Sequence, residues 1–161
     1  MGGLILLKMP QLKILNKKEI KQILKLIENQ WNVKLNPDYA FLRNNKNRIF
    51  IINKDIEKIE LERLRINSIG IYFCEIDNGI RLSIEGSQII GPKASKNIAE
   101  ITEEQVKQWL KGEDLEIENK ENNYSGFLII KHNNDFLGTG KYKENKILNY
   151  VGKSRRINVN L

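Results

Sequence analysis

GFLIIKHNNDFLGTGKYKENKILNYVGKSRR, residues Gly126 to Arg156, decides how this chain is read. The stretch predicts two short strands around a polar turn, Phe127 to Lys131 and Phe136 to Lys141, and then a basic tail carrying asparagine and tyrosine. From Lys141 onward six cations (Lys141, Lys143, Lys146, Lys153, Arg155 and Arg156) face a single acid, Glu144, with Tyr142 and Tyr150 among them. Cations hold phosphates, and aromatic rings stack on unpaired bases, so this pattern fits an RNA-contacting edge. The plainer reading is a solvated strand edge whose lysines prevent edge-to-edge aggregation. Gly138 and Gly140 divide in the same way. They either let an RNA backbone approach closely or mark a β-bulge.

Working outward, further strands are predicted at Ile147 to Tyr150 and Arg156 to Val159 on one side and at Leu115 to Ile117 on the other. Before these, Thr102 and Gln105 form a capping box for a helix from Glu103 to Leu110, which Gly112 stops. Val106, Trp109 and Leu110 recur at helical spacing, which assigns Trp109 to the core. A short helical turn, Ser87 to Ile90, leads into the loop Gly91-Pro92-Lys93-Ala94-Ser95-Lys96. A helix followed by short strands between turns predicts a small, partly closed β barrel.

The first half reads differently. Asn16 and Glu19 form a capping box, and Ile20, Ile23, Leu24 and Ile27 give a helix over Lys17 to Asn29 its apolar face. Lys17, Lys18, Lys21 and Lys25 occupy the opposite face, as solvated surface or as an extension of an RNA footprint. Two hairpins are predicted. The first joins Tyr39–Arg43 to Arg48–Ile52; the second joins Ile69–Ile76 to Gly79–Ile84 through Asp77-Asn78-Gly79. A charged helix, Asp55 to Leu64, lies between them. The opening run Leu4 to Leu7 is too short for a signal peptide or a membrane span and reads as a strand or arm, with Met9 an alternative start.

With 161 residues, 40% hydrophobic and 29% charged, the chain has material for one ordinary domain or two small ones. Its net charge of +7 and pI near 9.4 favour an anionic partner. The one cysteine, Cys74, cannot form an internal disulfide, which makes a reducing, cytoplasmic setting the expectation. It lies in an apolar strand pattern and reads as a buried small hydrophobe. The sole histidine, His132, reads as a surface residue beside a turn. Without Cys or carboxylate clusters of metal spacing, zinc sites and His-based triads lack components. No glycine-rich strand-to-helix motif cradles a dinucleotide or a methyl donor, so neither cofactor nor catalysis is expected.

Residues from about Ile84 to Val159 resemble a PUA-like domain. The likeness is carried by WLKGEDLEI, by YSGFLIIKHNNDFLGTGKYK and by the closing KILNYVGKSRRI. The closing segment is especially similar to the C-terminal RNA-binding domain of Sun/Fmu-type RNA cytosine-5 methyltransferases. Asn149, Tyr150, Lys153 and Arg156 match that pattern, and Gly152 stands where proline is usual. The order of elements from Leu12 to Ser83, with SIGIYFCEIDNGIRLSIEG at the junction, resembles the domain that precedes PUA in small two-domain archaeal and eukaryotic ribosome-biogenesis factors.

These resemblances imply an α+β protein with an N-terminal module at 1–83 and a PUA-like domain at 84–161. They also imply a non-catalytic role in binding structured ribosomal or transfer RNA, in ribosome biogenesis or RNA modification. Lys141, Lys143, Lys146, Lys153, Arg155 and Arg156 would then contact phosphates, with Lys93 and Lys96 extending the cleft. Asn149 would read a base edge, and Tyr142 or Tyr150 would stack. Two other roles stay open: an adaptor for ribosome-assembly proteins, and a detached specificity subunit for a separate RNA methyltransferase.

Overall fold

A computed structural model describes residues 12–53, 70–118 and 123–157. The fold is α+β, and the described strands form two five-stranded sheets. Strand β1 (Lys13–Ile14), helix α1 (Lys17–Trp31) and strands β2 (Tyr39–Arg43), β3 (Arg48–Asn53), β4 (Ile71–Ile76) and β5 (Ile80–Leu82) build the first half. Helix α2 (Ile84–Ile90) and a 3-10 turn at Gly91–Lys93 lead into strand β6 (Ile98–Glu100), helix α3 (Glu103–Leu110) and strand β7 (Leu115–Glu116). Strands β8 (Phe127–His132), β9 (Asp135–Lys143) and β10 (Lys146–Asn149) follow, and a 3-10 turn at Lys153–Arg155 closes the described chain. The first sheet runs β1-β2-β3-β4-β5 and is antiparallel throughout. The second runs β6-β8-β9-β10-β7, with β6 parallel to β8, and makes the partly closed barrel expected from the sequence.

Both capping boxes are formed. Asn16 accepts from the Glu19 amide at 2.9 Å, and Thr102 accepts from the Gln105 amide at 3.2 Å. An N-cap of this kind contributes about 1 kcal/mol. Helix α1 continues past Asn29 to Trp31 and ends at Asn32, whose φ of 57° supplies a left-handed cap. It buries Ile23, Ile27 and Trp31 against the first sheet and against one face of β8.

Strand β8 explains the uninterrupted apolar run Phe127 to Ile130. Alternate side chains of a strand point to opposite faces. Phe127 and Ile129 join the core containing Trp31, Phe41 and Phe73. Leu128 and Ile130 join a second core with Trp109, Leu115 and Ile147. The Trp31 indole N–H donates to the Phe127 carbonyl at 3.1 Å, which fastens the end of α1 to this shared strand.

Several expectations shift. Ile84 begins a helix rather than ending a strand, because Ser83 caps α2 by accepting from the Gly86 amide. The helical turn expected from Ser87 is therefore the end of a longer helix. Strand β6, unassigned from sequence, is short and gains its identity only by pairing with β8. Arg156 and Ile157 are not in a strand, and the remainder of the strand expected there lies outside the described residues. So do the helix expected at Asp55–Leu64 and the opening run. His132 is half-buried rather than exposed, with its Nδ1 2.8 Å from the Ile101 carbonyl. Cys74 and Trp109 are fully buried, as their patterns required.

A cleft between the sheets and a basic hairpin

The two sheets meet beside Thr139, whose hydroxyl donates to the Leu82 carbonyl at 2.9 Å. Next to this junction opens a cleft of about 350 Å³. The first sheet contributes Arg48, Tyr72 and Arg81 to its lining, and the second half contributes Gly138, Tyr150 and Arg155. The hairpin register creates the first wall. Arg48 lies opposite Glu75 across β3 and β4, and Glu75 lies opposite Arg81 across β4 and β5. The result is a plus-minus-plus row in which Glu75 pairs with both arginines. Arg48 also lies over the Tyr72 ring at 5.5 Å, and Arg81 lies over the Tyr150 ring at 4.9 Å.

Two acids temper the three arginines of this cleft. Glu75 serves the first wall, and Glu85 accepts from Arg155 at 2.8 Å. Burial pushes the Tyr72 phenol above its ordinary value, and the nearby Arg81 charge works in the opposite direction. Tyr72 therefore stays a neutral hydroxyl at physiological pH. Its OH and that of Tyr150 have no hydrogen-bond partner among the described residues.

The residues singled out from sequence fall into separate groups. Lys141, Lys143 and Lys146 are exposed on the β9–β10 hairpin, which turns at Glu144-Asn145 with φ of 48° and 62°. Positive φ at both turn residues is the signature of the tight turn that matches strand twist. Lys143 and Lys146 face each other directly across this hairpin, a like-charge pair that an anion would relieve. Lys153 is exposed on the closing 3-10 turn beside the cleft, where Arg155 and Tyr150 line the wall.

Other residues expected at an RNA contact have partners or places of their own in the fold. The Asn149 amide is committed inside the fold: it donates to the Trp109 and Glu113 carbonyls at 2.9 and 3.0 Å and accepts from the Val151 amide at 2.8 Å. These bonds hold the loop after β10 in place. Arg156 is half-buried, donates through its Nε to the Val151 carbonyl at 3.1 Å and packs over Gly112. The Tyr142 ring is half-buried edge-on against Tyr124, with its hydroxyl donating to Asn145 at 3.1 Å. Lys93 lines a different depression, with Leu35, Pro37 and Ile89, and Lys96 precedes β6 at the sheet edge remote from β10. Neither extends the cleft.

Gly138 and Gly140 have packing reasons. Two steps along β8, from Ile129 to Lys131, oppose three along β9, and Gly138 takes φ of 93° at this bulge. At Gly140 a Cβ would fall 2.6 Å from the Trp109 ring. Arg48, Tyr72 and Arg81 were missed from sequence because they belong to the half with the weaker chemical pattern. The Asp77-Asn78-Gly79 turn does imply the pairing of Glu75 with Arg81, the one available signal.

Residues 96–157 match the family described as Methyltransferase RsmF PUA domain. They form a PUA-like domain. The match takes in α3, the barrel strands β7 to β10 and the closing turn, and it agrees with the resemblance to the Sun/Fmu C-terminal domain. A PUA domain is an RNA-binding module without catalytic chemistry of its own, and the match extends to no methyltransferase domain. No curated protein matches the chain. Among the described residues no three of His, Cys, Asp and Glu gather as a metal site, and no helix is long and apolar enough to cross a membrane.

Proposed function

We propose that this protein is a non-catalytic RNA-binding protein that holds structured ribosomal or transfer RNA during ribosome assembly or RNA modification in the cytoplasm. The observation that carries the reading is the PUA-like domain at 96–157, which carries an exposed Lys141, Lys143 and Lys146 hairpin and contributes Tyr150 and Arg155 to an arginine- and tyrosine-lined cleft. Lysines on a rigid hairpin supply phosphate contacts, and the cleft supplies rings and guanidinium planes for unpaired nucleotides. The net charge of +7 draws a polyanion toward this surface.

Ultraviolet crosslinking of the full chain to total RNA from its own cells, with sequencing of the bound fragments, tests the proposal. The expected result is enrichment of a ribosomal or transfer RNA region, crosslinked through the Lys141 to Arg155 segment. Recovery of no RNA above a neutral control protein overturns it.

A further inference from the structure

We infer that the cleft between the two sheets is a composite pocket for one unpaired nucleotide, which both halves of the chain bind jointly. The inference rests on the RNA-binding reading above and specifies which part of an RNA enters the protein. Arg48, Tyr72 and Arg81 lie outside the segment that matches the PUA family, whereas Gly138, Tyr150 and Arg155 lie within it. A PUA-like domain alone would therefore present only half of these walls.

Size and chemistry favour a single base. A cavity of about 350 Å³ is at the small end of ligand pockets, which run from about 300 to 1,000 Å³. It cannot admit a duplex. Two tyrosines, each with an arginine over its ring and an aromatic neighbour (Phe50 or Phe127), put ring and guanidinium planes on the walls against which a base can stack. The Tyr72 and Tyr150 hydroxyls, which have no hydrogen-bond partner among the described residues, could serve the base edge. Arg155 and the exposed Lys153 lie at the same closing turn, suited to the phosphates flanking an inserted base. A peptide or an isolated phosphate would use the cations and leave the two aromatic surfaces without a role.

Gly152 provides a clean obstruction. It lines the cleft, its φ of −58° suits any residue, and a Cβ there meets no atom within 4 Å. Gly152→Leu therefore adds bulk to the lining without a clash at its Cβ, and Tyr72→Leu removes one ring.

The experiment uses the full chain and three RNAs: a blunt duplex, the same duplex with one bulged 2-aminopurine nucleotide, and the same duplex with a bulged abasic nucleotide. Stacking is worth about 1–3 kcal/mol per base, so the 2-aminopurine bulge should bind about tenfold or more tightly than the other two. Its fluorescence should change on binding. Gly152→Leu and Tyr72→Leu should bring its affinity down to that of the abasic bulge, so that the base no longer adds to binding. Equal affinity for all three RNAs overturns the nucleotide pocket and leaves RNA binding standing. Binding of none of them overturns both.

Discussion

The Arg81 guanidinium lies 4.9 Å from the centre of the Tyr150 ring, although Arg81 belongs to the first sheet and Tyr150 leaves the last strand of the second. Tyr150 also meets Phe127 edge-on at 5.2 Å. The ring is 41% exposed and still bridges the two halves of the chain. Tyr150→Ala should cost about 1–2 kcal/mol, because neither Arg81 nor Phe127 then has a ring to meet, and Tyr150→Phe should cost almost nothing. Chemical denaturation of the three proteins measures this. Equal stabilities would show that the bridge is incidental.

Asn149→Ala should behave as a stability mutation. It removes three hydrogen bonds that fix the loop between β10 and the closing turn, and the expected loss is about 2–3 kcal/mol. At a temperature where the variant remains folded, its RNA affinity should match that of the parent. A pure affinity loss at unchanged stability would return Asn149 to the binding surface.

Gly140→Ala should destabilise by about 1–3 kcal/mol, because the new methyl meets the Ile147 side chain and the Trp109 ring in the barrel core. Thermal unfolding reads this directly. Full stability would mean that the barrel core yields more readily than its packing implies.

Cys74 should resist thiol reagents in the folded protein. Burial pushes its thiol far above the ordinary value of 9.0, so almost no thiolate exists at neutral pH. Labelling should then proceed only through unfolding, at a rate that levels off with reagent concentration once labelling outruns refolding. The sign of the pH effect follows from the raised value. The folded state keeps the proton that the unfolded state loses, so stability is unaffected at neutral pH and falls as pH rises above about 8.5–9. Urea titrations at pH 7 and pH 10 test the second part.

Salt dependence tests the hairpin. Replacing Lys141, Lys143 and Lys146 together by Ala should flatten the plot of log affinity against log salt by about 2, or roughly 0.7 for each phosphate that is no longer neutralised. Anisotropy titrations at several salt concentrations supply the slope. An unchanged slope would place the phosphates elsewhere.

The sequence was most informative where one local rule settles the outcome. Asn16 with Glu19 and Thr102 with Gln105 marked both helix starts, and the positions of Trp109 and Cys74 assigned them to the interior. It was least informative where identity depends on a distant partner. Three residues make β6 a strand only through their pairing with β8. Asn149 looks like a recognition residue until the carbonyls of Trp109 and Glu113 arrive beside it. The cleft was illegible for the same reason. Its lining comes from segments as far apart as Arg48 and Arg155, and no local spacing connects them.

The bond from the Trp31 indole to the Phe127 carbonyl has a mechanical consequence. With α1 fastened to β8, and β8 contributing side chains to both cores, the two halves share a strand. A nucleotide entering the proposed pocket would meet walls whose rim side chains, Arg155 paired with Glu85, Tyr150 under Arg81 and Arg48 over Tyr72, already have partners. The same strand thereby sets the spacing of both sides of the cleft, so a change in β8 packing would be felt at each wall.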